Sequence, residues 1–121
     1  RLGRECILVS RASGVRMEPM GGIDFEDLLW YDDEAGQERA KANYTRFWSS
    51  QRSLRASMLQ DLEKGRPCEI DYINGTVCRL GDRVGVETPV NDCVVRLVRE
   101  IQSGARTFSW ANLPELLDSL H

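Results

Sequence analysis

Apolar residues recur at intervals of three and four along most of the chain, and this pattern constrains the fold more than any other feature. From Ile70 the series Ile70, Ile73, Val77, Leu80 and Val84 alternates the two spacings, which predicts a helix with one buried stripe, ending near Gly85. Thr88-Pro89 then sets a capping hydroxyl before a proline at the first helical position, and Val90, Val94, Leu97 and Ile101 repeat the spacing up to Gly104. No hairpin turn separates alternating apolar runs, so strands are not predicted. The fold class read from the residues is all-α.

The same reading locates the remaining elements. Leu2 to Val15 carries Leu2, Cys6, Val9 and Ala12 on one predicted face, with Gly14 to end it. Met17 to Gly22, with Pro19 and the Gly21-Gly22 pair, reads as loop, and the acidic, aromatic stretch Ile23 to Tyr31 allows a short helix. Asp33 to Arg55 is proline-free and rich in helix formers, which predicts a long helix. Ser57-Met58-Leu59-Gln60 has the form of a capping box, predicting a helix that Gly65 and Pro67 cut short. Phe108 and Trp110 precede a last short helix within Leu113 to Leu120.

A length of 121 residues suits one domain, and 41% hydrophobic with 29% charged residues suits a folded one. The net charge of −3, with arginines interspersed among acids, argues against nucleic acid as a partner. Cys6, Cys68, Cys78 and Cys93 have no C-x-x-C spacing and the only histidine is His121, so no metal site is expected. With no signal-peptide pattern and no membrane-length apolar run, the expectation is a cytoplasmic protein with reduced cysteines and no membrane contact. The sequence opens on Arg1 in what reads as mid-helix, so a fragment of a longer protein is expected.

The residue inventory also limits the chemistry. Neither G-x-G-x-x-G nor G-x-x-x-x-G-K-[ST] occurs, so the chain is not expected to hold a dinucleotide alone, and histidine-dependent triads lack their base. The densest polar group is Ser57, Asp61, Glu69, Asp71 and Asn74, bracketing the break between two predicted helices. A plain alternative is that Ser57 caps a helix and the acids are solvated first-turn residues. Gly75 inside a predicted helix suggests close approach of a neighbouring helix or ligand.

Ser57-Met58-Leu59-Gln60-Asp61, Cys68-Glu69-Ile70-Asp71-Tyr72-Ile73-Asn74-Gly75 after Arg66, Gly85-Val86, and Thr88-Pro89-Val90-Asn91 together resemble the carboxy-terminal signature of the ketopantoate reductase (2-dehydropantoate 2-reductase) family. Glu5 to Gly14 is similar to the family's preceding E-x-x-x-V-x-x-A-x-G helix. The resemblance implies a helical bundle of the 6-phosphogluconate dehydrogenase-like C-terminal kind, with residues 1–121 forming the substrate-binding and dimerisation domain of a two-domain enzyme.

It further implies NADPH-dependent reduction of ketopantoate to pantoate, for pantothenate and coenzyme A synthesis, with the cofactor held mainly by a Rossmann domain outside this sequence. By position, Ser57 would bind the 2-keto acid substrate and Glu69 would lie at the nicotinamide end of the cofactor. Asp61 and Asn74 would be supporting residues. The family's catalytic lysine precedes Glu5, so no catalytic residue is expected in this chain and the fragment alone should be inactive. Cys68 stands where the family usually has threonine, exchanging a hydroxyl for a thiol that hydrogen-bonds more weakly. Two other readings compete: a related reductase acting on another 2-keto acid, and a non-catalytic helical dimerisation module.

Overall fold

The structure, a computed structural model, describes residues 1–19, 22–51 and 53–120. Gly21, Arg52 and His121, which entered the sequence reading as part of a loop, of a long helix and as the sole histidine, lie outside the described residues. Seven α-helices follow one another among the described residues, with no β-strand: α1 (Leu2–Ala12), α2 (Phe25–Leu29), α3 (Glu34–Trp48), α4 (Ser57–Glu63), α5 (Asn74–Val84), α6 (Pro89–Gln102) and α7 (Leu113–Asp118). Short 3₁₀ turns at Ser49–Gln51, Glu69–Asp71 and Trp110–Asn112 join them. The expected all-α class holds.

Helices α1, α5 and α6 pack against one another and form the centre of the molecule. Helix α6 is amphipathic, burying Val90, Cys93, Val95 and Leu97 while Asp92, Arg96 and Arg99 stay exposed. Ile7, Val9 and Ile70 complete that core, and burying each such side chain contributes roughly 1.5–3 kcal/mol. Helix α5 ends where Gly85 turns left-handed at φ 70, a conformation for which glycine has no steric cost.

Two expected helical faces and one expected helix end need correction. In α1 the buried residues are Glu5, Ile7 and Val9, while Leu2 and Ala12 stay exposed. The helix is rotated so that the Glu5 carboxylate points inward at α6. In the Ile70–Val84 segment the expected continuous helix divides into a 3₁₀ turn and α5, and Ile73 and Leu80 are 50% and 36% exposed. The face of α5 that packs inward carries Asn74, Cys78 and Gly81, because small and hydrogen-bonded groups permit a close approach that branched side chains would block.

Gly81 makes the tightest of these approaches: a Cβ there would lie 2.6 Å from the Val86 carbonyl oxygen and 2.9 Å from Thr88 Cγ2. At Gly75, where close packing was expected, the nearest atoms to a Cβ would be 3.4 Å away or more and belong to Arg79 and the preceding turn. The third correction concerns α3, which stops at Trp48 instead of reaching Arg55. There the Ser49 hydroxyl donates to the Arg46 carbonyl at 2.7 Å, a local bond that competes with helix continuation.

Helices α2 and α3 form an arm on one side of the core. Asp24 caps α2 by accepting from the Glu26 amide at 2.8 Å, and Asp33 caps α3 by accepting from the Gly36 amide at 2.6 Å. The arm joins α1 through Trp30. The guanidinium groups of Arg4 and Arg11, two turns apart on α1, lie 4.5 and 4.4 Å from its ring centroid, and Arg11 also pairs with Glu26 at 2.5 Å. At the opposite side, α7 is fastened to α6 by an alternating ring of charges. Arg96 contacts Glu100 at 3.1 Å and Glu115 at 2.5 Å, and Arg106 contacts the same two carboxylates at 2.6 and 2.8 Å.

Candidate functional site

Helix α4, the Glu69–Asp71 turn and the first residue of α5 carry all five polar residues singled out from the sequence: Ser57, Asp61, Glu69, Asp71 and Asn74. Helix α4 has two unlike sides. Leu59 and Glu63 line a groove shared with α6 and α7, while Ser57 and Asp61, one turn apart, occupy the other side. Ser57 is exposed and is the first helical residue, not the cap, which is Ala56. The capping box is therefore not formed: the Gln60 side chain reaches back to donate to the Arg55 carbonyl at 3.1 Å, not to accept from an amide. With only seven residues, α4 adds little field at its amino terminus, so Ser57 contributes chiefly its hydroxyl. Asp61 is half-buried, and its carbonyl accepts from the Arg66 amide at 2.8 Å to close the turn after the helix.

Glu69 is exposed on the 3₁₀ turn, and its carbonyl accepts from the amides of Tyr72 and Ile73, both at 3.0 Å. Its neighbours hold that turn from several directions. Ile70 is 1% exposed in the core, and the Asp71 carboxylate accepts from Arg99 of α6 at 2.8 Å, so Asp71 is not the free solvated acid of the plain alternative. Cys68 precedes the turn in extended conformation, and its thiol makes no capping hydrogen bond.

Asn74 faces inward. Its side-chain amide donates to Asn91 Oδ1 at 2.9 Å, and Asn91 in turn donates to Glu5 Oε2 at 2.5 Å and to the Leu2 carbonyl at 3.3 Å. The Glu5 carboxylate also accepts from the backbone amides of Val90 and Asn91, both at 2.9 Å. Thus α6 is capped by a carboxylate from α1. Thr88 occupies the cap position without making that bond, and its hydroxyl donates to Asp92 at 3.1 Å.

Glu5 and Asn91 stood in the sequence only as part of the family resemblance. The available signal was a carboxylate on the apolar side of α1 and an amide inside the first turn after Thr88-Pro89, both polar groups at positions that periodicity reserves for the core. Glu69 and Asn74 therefore belong to one continuous turn and helix, and Ser57 and Asp61 to one side of α4. No hydrogen bond links the two pairs among the described residues.

The titration of groups near the core reflects burial and pairing. Burial, with Asp92 nearby, pushes the Cys78 thiol up to about 11, and burial also raises Cys6. All four cysteines are free thiols. Hydrogen bonds from Arg106 and Arg96 hold Glu100 below the usual carboxylate range, and Arg96 does the same for Glu115. Among the described residues no group of three or more His, Cys, Asp or Glu could hold a metal ion. No helix there is long and apolar enough to cross a membrane.

An apolar groove of about 540 Å³ lies elsewhere, between α6, α7 and the Leu59 side of α4. It is lined by Val94, Leu97, Val98, Ile101, Phe108 and Leu116 among others, and it contains none of Ser57, Asp61, Glu69 or Asn74. It offers apolar surface without a convergent set of polar groups, so its size does not make it the site of the chemistry.

The described residues form an all-helical domain with an exposed acid, Glu69, on a turn anchored to its core. Residues 1–102 match the family model described as "Ketopantoate reductase PanE/ApbA C terminal". The chain thus belongs to the ketopantoate reductase family, and its fold is that family's helical carboxy-terminal domain. Among curated relatives, the 2-dehydropantoate 2-reductase of Archaeoglobus fulgidus is 44% identical over 50 residues, covering 41% of this chain and 17% of that protein. That of Mesorhizobium japonicum is 51% identical over 47 residues, 39% of this chain and 14% of that protein. That of Pyrococcus abyssi is 32% identical over 82 residues, 64% of this chain and 22% of that protein. The match therefore spans less than a quarter of each of these relatives. No solved structure matches the chain.

Proposed function

We propose that this chain is the carboxy-terminal part, residues 1–121, of a two-domain cytoplasmic reductase that transfers hydride from NADPH to the keto carbon of 2-dehydropantoate, giving pantoate. The observation that carries the reading is the Glu69 turn. Its carboxylate is exposed while Ile70, Asp71 and Asn74 on its flank are each tied to the core or to α6, so a charged acceptor is presented on rigid backbone. Membership of the family supports the reaction class, and the names of the relatives support the substrate.

The residues present fit one end of a dinucleotide only. An exposed carboxylate at Glu69 can accept hydrogen bonds from a carboxamide or hydroxyl, and the chain has no glycine-rich phosphate loop for the rest. In this reading Glu69 orients the nicotinamide end and Ser57 donates to the keto acid. Asp61 and Asn74 support those two positions from α4 and α5. The cofactor supplies the hydride when bound, and the proton for the new hydroxyl comes from the lysine expected outside this sequence. The isolated domain is then inactive.

The test is NADPH oxidation with ketopantoate by the full-length protein, wild type against Ser57→Ala and Glu69→Ala. Each substitution should lower kcat/KM by roughly 10²-fold, the scale seen when a positioned polar contact to the reacting groups is lost. Good turnover of a different 2-keto acid in place of ketopantoate would keep the reaction class and replace the substrate. A wild type that reduces no 2-keto acid would leave the second reading, a helical dimerisation module. That reading draws on the apolar groove and on Phe108 and Trp110 beside it, 48% and 88% exposed. A homodimer formed through this face is compatible with either reading.

A further inference from the structure

The network Glu5–Asn91–Asn74 is more elaborate than helix capping requires. Glu5 is 7% exposed and Asn91 fully buried, and the carboxylate accepts three N–H groups, two from the backbone of α6 and one from the Asn91 side chain. Because Asn91 spends its side-chain donors on Glu5 and on the Leu2 carbonyl, its amide cannot flip without setting oxygen against oxygen. Its Oδ1 is consequently fixed as an acceptor, and it receives the Asn74 amide. Asn74 opens α5 directly after the turn whose Tyr72 and Ile73 amides bind the Glu69 carbonyl. A rigid path thus runs from α1 through α6 to the backbone of Glu69.

We infer that Glu5 and Asn91 are positioning residues for Glu69, acting through Asn74; the inference rests on the reading of Glu69 as the cofactor-side contact. A buried polar chain of this kind selects one arrangement among several that apolar packing would accept, at little gain in stability over an apolar core. Here the arrangement it selects is the place where α5 begins, and therefore where the turn before it points its carboxylate.

The experiment uses the full-length protein and compares Asn91→Ala in the wild-type and Glu69→Ala backgrounds, with kcat/KM for the keto acid and Tm measured for each. If Asn91 works through Glu69, Asn91→Ala lowers kcat/KM on the order of tenfold in wild type, as small misplacements of a reacting geometry do. It then lowers it by less than about twofold when Glu69 is already alanine, because the coupled effects do not add. Tm falls equally in both backgrounds. A loss of kcat/KM of the same size in both, or a fall in Tm with activity intact, overturns the positioning role. Should Asn91→Ala fail to fold, Asn74→Ala cuts the last link while leaving α6 capped by Glu5, and the same comparison applies. A Glu69→Ala protein as active as wild type removes the functional reading itself, an outcome distinct from failure of the coupling alone.

Discussion

The helices of the core and the helices of the arm are held by opposite means. Helices α1, α5 and α6 add to their buried aliphatic side chains a set of small and polar contacts: Gly81 against the Thr88 loop, and Glu5, Asn91 and Asn74 in one hydrogen-bonded chain. Helices α2 and α3 are richer in aromatic residues, yet α3 buries only Gly36 and Ala40 and leaves Tyr44 and Trp48 partly exposed. The arm relies on Arg4 and Arg11 over Trp30 and on the edge-to-face pair of Phe25 and Phe47 at 5.8 Å. Such contacts contribute about 0.5–1.5 kcal/mol each, and they tolerate small displacements. A buried carboxylate with three donors tolerates none. Directional groups that must be satisfied, more than apolar content, decide which part of this molecule has a single geometry, and the Glu69 turn is attached to that part.

The sharpest way to break the comparison is Glu5→Ala. It leaves two backbone amides at the start of α6 and the Asn91 side chain without their acceptor, and should cost about 3–5 kcal/mol, on the scale of roughly 1–3 kcal/mol for each buried donor left unsatisfied. Urea unfolding measures it. A loss below 1 kcal/mol would mean that water or local rearrangement satisfies these groups, and the network would lose its standing as the organiser of the core. Next comes Gly81→Ala, in which the new methyl meets the Val86 carbonyl at 2.6 Å; about 2 kcal/mol is expected from overpacking. The matching substitution Gly75→Ala, where the nearest atoms are 3.4 Å away or more, should be close to neutral or stabilising, since alanine is the better helix former.

The order of effects follows what the sequence made visible. Periodicity locates helices because it reports chemical type at regular spacing, and it found the helical segments here, with boundaries that moved most where serines compete for the backbone, as after Trp48. It assigned the inward faces of α1 and α5 wrongly for one reason: it counts apolar residues as buried. In this chain the inward positions hold Glu5, Asn74 and Gly81 while Ile73 and Leu80 face out. The polar cluster around Ser57 and Glu69 was legible as a dense group at a helix break, but only the family resemblance gave its members roles, since both are ordinary surface residues by type. What the sequence could not convey is that Asp71, Asn74 and Asn91 tie the Glu69 turn to the core, because those contacts join residues 17 to 28 positions apart.

On the arm, Trp30→Ala removes the ring between the two arginines and should cost roughly 1–2 kcal/mol, read as earlier loss of α3 helicity with the core transition unmoved. A single transition shifted as a whole would show that arm and core unfold together. The smallest effect belongs to the clasp of α7. Glu100 and Glu115 are held below their ordinary value of 4.5 by Arg106 and Arg96, so their contribution is present above the unfolded pKa and is lost as pH falls through the lower folded value. Titration from pH 6 to 3 should release α7 before the core unfolds, with loss of hydrogen-exchange protection in the α7 amides reporting the release, and added salt should weaken the clasp at neutral pH.

Hydrogen exchange of individual backbone amides compares the two regions most directly. The amides of Val90 and Asn91 at the start of α6 should exchange only through global unfolding, despite lying in the first turn of a helix where amides are ordinarily unprotected, because each donates to Glu5. The amides of α3 should exchange through a smaller opening of lower free energy. Rapid exchange at Val90 and Asn91, or protection of α3 equal to theirs, would contradict the account.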